Sequence, residues 1–142
     1  MPILSILIPC YNEEKTIKKV IEKVTNLKLK EGATEIIVVD DGSIDKTPQI
    51  INKLKKHHPE LIVITHKINS GKTASIISGL KYATGAYTII QDADLEYNPN
   101  DIPSLLSKAL SEKGKAIYGS RRLAENVTYS YYTYFIGANI IT

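Results

Sequence analysis

The sequence predicts an α/β domain built on an open, mostly parallel sheet with helices on both faces. Apolar runs of strand length recur at even intervals, and the segments between them repeat with the period of an amphipathic helix. Most of the runs are continuous rather than alternating, as strands covered on both faces require.

The first strand is expected over Ile3 to Ile8. Ile17, Val20, Ile21, Val24 and Leu27 then recur at helical spacing, with Asn12 as the expected cap before Glu13 and Glu14, acids that suit a helix N-terminus. Glu35 to Val39 form the second strand, followed by a helix from about Asp45 through Ile50, Ile51 and Leu54. Leu61 to Thr65 are the third strand, followed by a helix from Ser70 through Ile76, Ile77 and Leu80 to Ala83. Tyr87 to Ile90 are the fourth strand, and a helix from Asp101 carries Leu105, Leu106, Ala109 and Leu110. A fifth strand is expected at Ala116 to Tyr118.

The pattern stops after Arg122, which divides the chain into a binding domain over residues 1–122 and the start of an acceptor-side or membrane-proximal segment over 123–142. That segment sets Tyr129, Tyr131, Tyr132, Tyr134 and Phe135 ahead of Ile136, Ile140 and Ile141, and it ends inside an apolar stretch, so the domain is expected to be truncated at its C-terminus. An amphipathic stretch running on towards a membrane or acceptor lobe and a tail packed back on the domain both fit.

A chain of 142 residues is one domain's worth. Its net charge of +3 is nearly all lysine, since Arg121 and Arg122 are the only arginines, and nucleic-acid sites lean on arginine forks. The balance argues against nucleic acid as the partner. Lys15, Lys18, Lys19 and Lys23 form either a solvated lysine face or a contact for an acidic membrane surface. The single Cys10 has no internal disulfide partner, the N-terminus lacks the basic start of a signal peptide, and no stretch reaches the roughly 20 apolar residues of a spanning helix. A soluble chain in the cytoplasm is the expectation.

Chemistry gathers at the expected carboxyl ends of the strands, where ligands of open α/β sheets lie. Asp92 and Asp94 stand one residue apart after the fourth strand. Two such carboxylates reach one hard cation, Mg²⁺ or Mn²⁺, and leave positions for phosphate oxygens and water, with Glu96 able to add a third oxygen or bind a ligand water. A surface turn leaves the same letters. Asp40 and Asp41 follow the second strand, and Gly42 permits a tight turn there. These carboxylates suit a ribose hydroxyl or a base N–H, with helix capping by Ser43 and Asp45 alongside. Tyr11 offers a stacking face or a core ring.

Asn69 to Thr73 resemble the end of a phosphate-binding P-loop, but the required earlier glycine is His66, so the P-loop is rejected. Lys72 near a helix N-terminus still suits a diphosphate, or is an ordinary solvated lysine. Arg121, after Gly119 and Ser120, either forks onto a phosphate or makes an ordinary ion pair. His57, His58 and His66 lack metal-ligand spacing, and no Ser/His/Asp or Cys/His constellation is visible. Asn126-Val127-Thr128 matches a glycosylation sequon that matters only on a secretory route.

With Ile8 to Glu13, Val38 to Ser43, Asn69 to Lys72, Gln91 to Glu96 and Gly119 to Arg121 in this order, the chain resembles family 2 glycosyltransferases over residues 3 to 122. These are inverting enzymes with the GT-A nucleotide-sugar fold, and the chain is most similar to the branch of dolichol-phosphate mannosyltransferases and bacterial polyprenyl-phosphate glycosyltransferases. The resemblance implies transfer of a sugar from a GDP- or UDP-linked donor to an acceptor, foremost a polyprenyl phosphate, at the cytoplasmic face of a membrane in the full-length protein. It implies that Pro9, Tyr11, Glu13 and Asp41, with Asp40 beside them, hold the nucleoside, that Asp92, Asp94 and Glu96 place the metal, and that Arg121 meets a phosphate. The branch often carries glutamine at Glu96 and a small residue at Thr73. The residues by themselves identify no catalytic base, and a lipid phosphate, already an anionic nucleophile, needs none. A donor-binding fragment without turnover is the alternative, while a dinucleotide-dependent oxidoreductase lacks its glycine pattern after the first strand.

Overall fold

The computed structural model describes residues 1–111, in which strands and helices alternate as β1 (Leu4–Cys10), α1 (Ile17–Thr25), β2 (Thr34–Asp40), α2 (Thr47–His57), β3 (Ile62–Thr65), α3 (Lys72–Leu80), β4 (Tyr87–Ile90) and α4 (Ile102–Ser111). A single 3₁₀ turn at Pro99–Asp101 leads into α4. The strands pair in parallel in the order β3-β2-β1-β4. The fifth expected strand and the boundary at Arg122 lie outside the described residues.

The continuous apolar runs become the centre of the sheet, and every residue of β1 is buried. Alternate side chains divide between two cores. Ile6, Ile8, Ile36 and Val38 pack with Ile17, Val20, Ile21 and Val24 of α1, Ile51 and Leu54 of α2, and Ile102 and Leu106 of α4. Leu7, Ile37 and Val39 face the other way, against Ile76 of α3 and Ala83. Gly79 lets α3 approach: a Cβ there would lie 2.9 Å from Leu7 Cγ and 3.2 Å from Val39 Cγ2.

Strand order fixes where a ligand can go. From β3 at one edge the chain must reach β4 at the other, and α3 makes that crossing over β2 and β1, on the face opposite α1 and α2. The carboxyl end of β1 thus lies between loops that diverge to opposite faces, the switch point at which such sheets bind ligands. The far end of the sheet is closed by Glu35, whose carboxylate accepts from Ser5 Oγ at 2.6 Å, from the amide and hydroxyl of Thr84 at 2.5 and 3.0 Å, and from Gly85 N at 3.0 Å.

One boundary differs in kind from the sequence expectation. Helix α1 begins at Ile17 because Asn12 does not cap it: Asn12 has φ 55° and its Oδ1 accepts from Ile44 N at 2.9 Å, in the loop after β2. Neither Ser43 nor Asp45 is the N-cap of α2, a position held by Lys46 without a side-chain cap: Asp45 Oδ1 accepts from Thr47 N at 2.9 Å in the turn before the helix, and Ser43 Oγ accepts from Asn12 N.

Candidate nucleotide and metal site

A cleft of about 290 Å³ opens at the carboxyl ends of β1, β2 and β4. Pro9, Cys10, Tyr11 and Glu13 enter it from the loop after β1, Asp41 from that after β2, Asn69, Gly71, Lys72 and Ser75 from the start of α3, and Asp92, Ala93 and Asp94 from the loop after β4. Of the residues marked in the sequence, Pro9, Tyr11, Glu13, Asp41, Lys72, Asp92 and Asp94 are therefore brought together.

Two of the marked residues stand elsewhere. Asp40 is buried beneath the cleft, its Oδ1 accepting from Ser43 N at 3.1 Å. Glu96 is exposed and does not line the cleft. Arg121 lies outside the described residues.

Backbone-to-side-chain bonds make the first two loops one unit. Glu13 N donates to Thr47 Oγ1 at 2.8 Å, Glu14 N to Asp45 Oδ2 at 3.1 Å, and Lys46 N back to Glu14 Oε2 at 3.1 Å. This fixes the segment that presents Tyr11, 40% exposed at the cleft, as a face available for stacking. Cys10 is buried against Val39 O, and burial, with the Asp40 charge next, pushes its thiol far above the ordinary range. It is a packing residue, not a nucleophile.

The loop after β4 turns at Ala93 and Asp94. Ala93 is buried in the core formed with α1, which turns Asp92 and Asp94 outward on either side of it. Gln91 holds the loop closed, its Nε2 donating to Asp92 O at 3.0 Å and Tyr97 O at 3.1 Å, and Leu95 takes the turn at φ 66°. Asp94 Oδ1 accepts from Glu96 N at 2.9 Å. Lys72, first residue of α3, places its Nζ 2.6 Å from Asp92 Oδ1, and Gly71 leaves the N-terminus of that helix without a side-chain cap. An uncapped helix end and an ammonium act in the same sense on an anion.

Asp41 does more than line the cleft. Burial works against its charge, but hydrogen bonds from His66 and from the amides of Ser70 and Gly71 outweigh that and hold its carboxyl below the usual range. His66 in turn contacts Ser78 Oγ at 2.9 Å. Asp41, His66 and Ser78 thus form a hydrogen-bonded chain that no pattern in the sequence suggested, and Ser75 is a further cleft residue the sequence did not mark, whereas Asn69 belongs to the loop it singled out. Asp41 and His66 are 25 residues apart, a non-local contact that a linear pattern does not carry.

Among the described residues no three His, Cys, Asp or Glu side chains converge into a metal-ligand group. The oxygen donors of Asp92 and Asp94 still suit a hard divalent cation bound jointly with phosphate oxygens, and among the described residues that line the cleft Lys72 is the only one with a cationic side chain.

A parallel sheet of this order, with an acidic loop after β4 opening on its switch point, has the architecture of the GT-A glycosyltransferases. Residues 5–138 match the glycosyl transferase family 2 model, and the chain belongs to that family. It is 33% identical over 123 residues to an undecaprenyl-phosphate 4-deoxy-4-formamido-L-arabinose transferase of Proteus mirabilis, covering 84% of this chain and 36% of that one. It is 34% identical over 97 residues to the dolichyl-phosphate beta-glucosyltransferase ALG5A of Trichomonas vaginalis, covering 64% and 30%. Among solved structures, a mannosyltransferase from Pyrobaculum calidifontis in complex with GDP-Man and Mn²⁺ superposes with a TM-score of 0.65 at 25% identity, covering 76% of this chain and 32% of that one. The chain spans about a third to a half of the length of the curated relatives it matches.

Proposed function

We propose that this chain is the donor-binding part of an inverting, metal-dependent glycosyltransferase that moves a sugar from a nucleoside-diphosphate sugar to a polyprenyl phosphate. The observation that carries it is the convergence of Asp92, Asp94 and Lys72 in a cleft at the switch point of the sheet. The relatives named for undecaprenyl and dolichyl phosphates support a lipid-phosphate acceptor and hence work at a membrane surface, which we assign to the cytoplasmic face. No helix among the described residues is long and apolar enough to cross one.

Asp92 and Asp94 would hold Mg²⁺ or Mn²⁺, as the Mn²⁺ complex of the mannosyltransferase supports. Bound there, the cation supplies Lewis-acid neutralisation of the charge that grows on the departing diphosphate. Lys72, more than half exposed, exchanges Asp92 for a diphosphate oxygen when the donor enters. Tyr11 stacks on the base, and Pro9 and Glu13 shape the nucleoside end with Asp41 and the buried Asp40 beneath. Arg121 meets a phosphate of donor or acceptor, and Glu96 serves the metal through water. No cleft residue is assigned as a base, because a lipid phosphate attacks as an anion.

Thermal melting with GDP, UDP and their sugars, each with and without Mg²⁺ or Mn²⁺, tests the donor site and identifies the base. Stabilisation that requires the metal is expected; melting unmoved by every nucleotide in the presence of metal contradicts it. Transfer of labelled sugar to a short polyprenyl phosphate then separates an active enzyme from a donor-binding unit.

A further inference from the structure

We propose that His66 is a positioning residue for nucleotide binding: held between Asp41 and Ser78, it clamps the loop that delivers Lys72 to the cleft. It rests on the donor site proposed above. Asp41, 3% exposed, takes His66 Nδ1 at 2.6 Å, Ser70 N at 3.0 and 3.1 Å and Gly71 N at 2.7 Å. A carboxylate only accepts, so Nδ1 carries the proton, and Nε2, 2.9 Å from Ser78 Oγ, accepts from that hydroxyl when the ring is neutral.

These bonds tie α3 at two points. Asp41 grips the amides that precede its first residue, and His66 grips Ser78 six residues beyond Lys72. Gly42 adds a backbone contact from the other side. It has φ 72°, and a Cβ there would fall 2.7 Å from the carbonyl carbon of Ile68. The segment from His66 to Gly71 is thus fixed to the end of β2, and the position of Lys72 Nζ beside Asp92 follows from it.

The order Asp–His–Ser is also that of an activated hydroxyl. Ser78 lies inside α3, however, and neither it nor His66 lines the cleft. Two of the acceptor positions of Asp41 are spent on loop amides, which a clamp needs and a nucleophile does not.

Amide hydrogen exchange without nucleotide tests the clamp directly. His66→Phe, which keeps a ring but removes both polar contacts, is expected to speed exchange at Ser70 and Gly71 by about tenfold or more. His66→Asn, which retains a donor for Asp41, restores most of the protection, and Ser78→Ala, the milder change, has a smaller effect of the same sign. Exchange at Ser70 and Gly71 equal to wild type in all three variants overturns the clamp. Titration of GDP and UDP with Mn²⁺ tests its consequence. His66→Phe is expected to weaken binding by about tenfold in the wild-type background and by less than about twofold when Lys72→Ala is already present. Equal losses in both backgrounds mean that His66 is merely structural and overturn the positioning role. Absence of nucleotide binding by the wild type overturns the donor site itself, while the exchange result judges the clamp by itself.

Discussion

Asp92 and Asp94 owe their placement to the residue between them. Ala93 is small enough to bury at 4% exposure in the core shared with α1, and the turn there leaves both neighbours lining the cleft. That was legible in the sequence, because two acids one apart after an apolar run form a local pattern. The pairing of Lys72 with Asp92 was not, since the partners are brought together only when α3 crosses the sheet. The same holds for Asp41 and His66: both were marked as strand-end residues, but their contact joins separate strands and marks Asp41 as a loop anchor as well as a cleft wall. Lys72 balances Asp92 and is suited to the diphosphate, so its two roles separate by measurement. Lys72→Ala is expected to weaken nucleoside-diphosphate binding by about tenfold or more, the order of one charge-assisted hydrogen bond, while binding of Mn²⁺ alone is unchanged or tighter. Isothermal titration with each ligand checks both signs.

At the level of elements, the helices and strands followed their periodicity, and the loops followed contacts that no period encodes. Asn12 has the composition of a cap, but it serves the β2–α2 loop in a left-handed conformation, so α1 starts at Ile17. Glu14 likewise accepts from Lys46 N rather than serving α1, and these bonds make the two loops a rigid wall for the cleft. Helix α3 depends on close approach instead. Its Gly79 faces Leu7 and Val39, both fully buried, which cannot move aside without disturbing the sheet. Gly79→Ala is expected to destabilise the chain by about 1–3 kcal/mol, the usual cost of overpacking, despite the better helix propensity of alanine. Urea unfolding measures it, and a stabilised variant would show that α3 stands farther from β1 than the structure places it.

The whole molecule is held at both ends of its sheet by carboxylates, which links its stability to pH. Burial opposes the charge of Glu35, but hydrogen bonds from Ser5, Thr84 and Gly85 outweigh it, and its pKa is lowered from 4.5; that of Asp41 is lowered from 3.8. A carboxyl whose folded pKa lies below its unfolded value contributes stability that is complete above the unfolded value and is lost as pH falls through the folded one. Melting temperature is therefore expected to be flat through neutrality and to decline below about pH 4.5. Glu35→Gln lowers it at neutral pH, and the gap to wild type narrows on acidification; a gap constant with pH would show that the charge of Glu35 contributes nothing. The knot that Glu35 makes could not be read from the sequence, because Ser5, Glu35 and Gly85 meet only once the sheet has formed.

Metal-dependent binding of a nucleoside diphosphate, measured by calorimetry for the wild type and for Asp94→Ala over a Mn²⁺ titration, bears most directly on the cleft. The wild type is expected to bind GDP or UDP about tenfold or more tightly with Mn²⁺ than without it, and Asp94→Ala to bind equally weakly in both conditions. Nucleotide affinity indifferent to Mn²⁺ in the wild type, or a metal response untouched by the loss of Asp94, would contradict the assignment of this cleft to a metal-held sugar diphosphate.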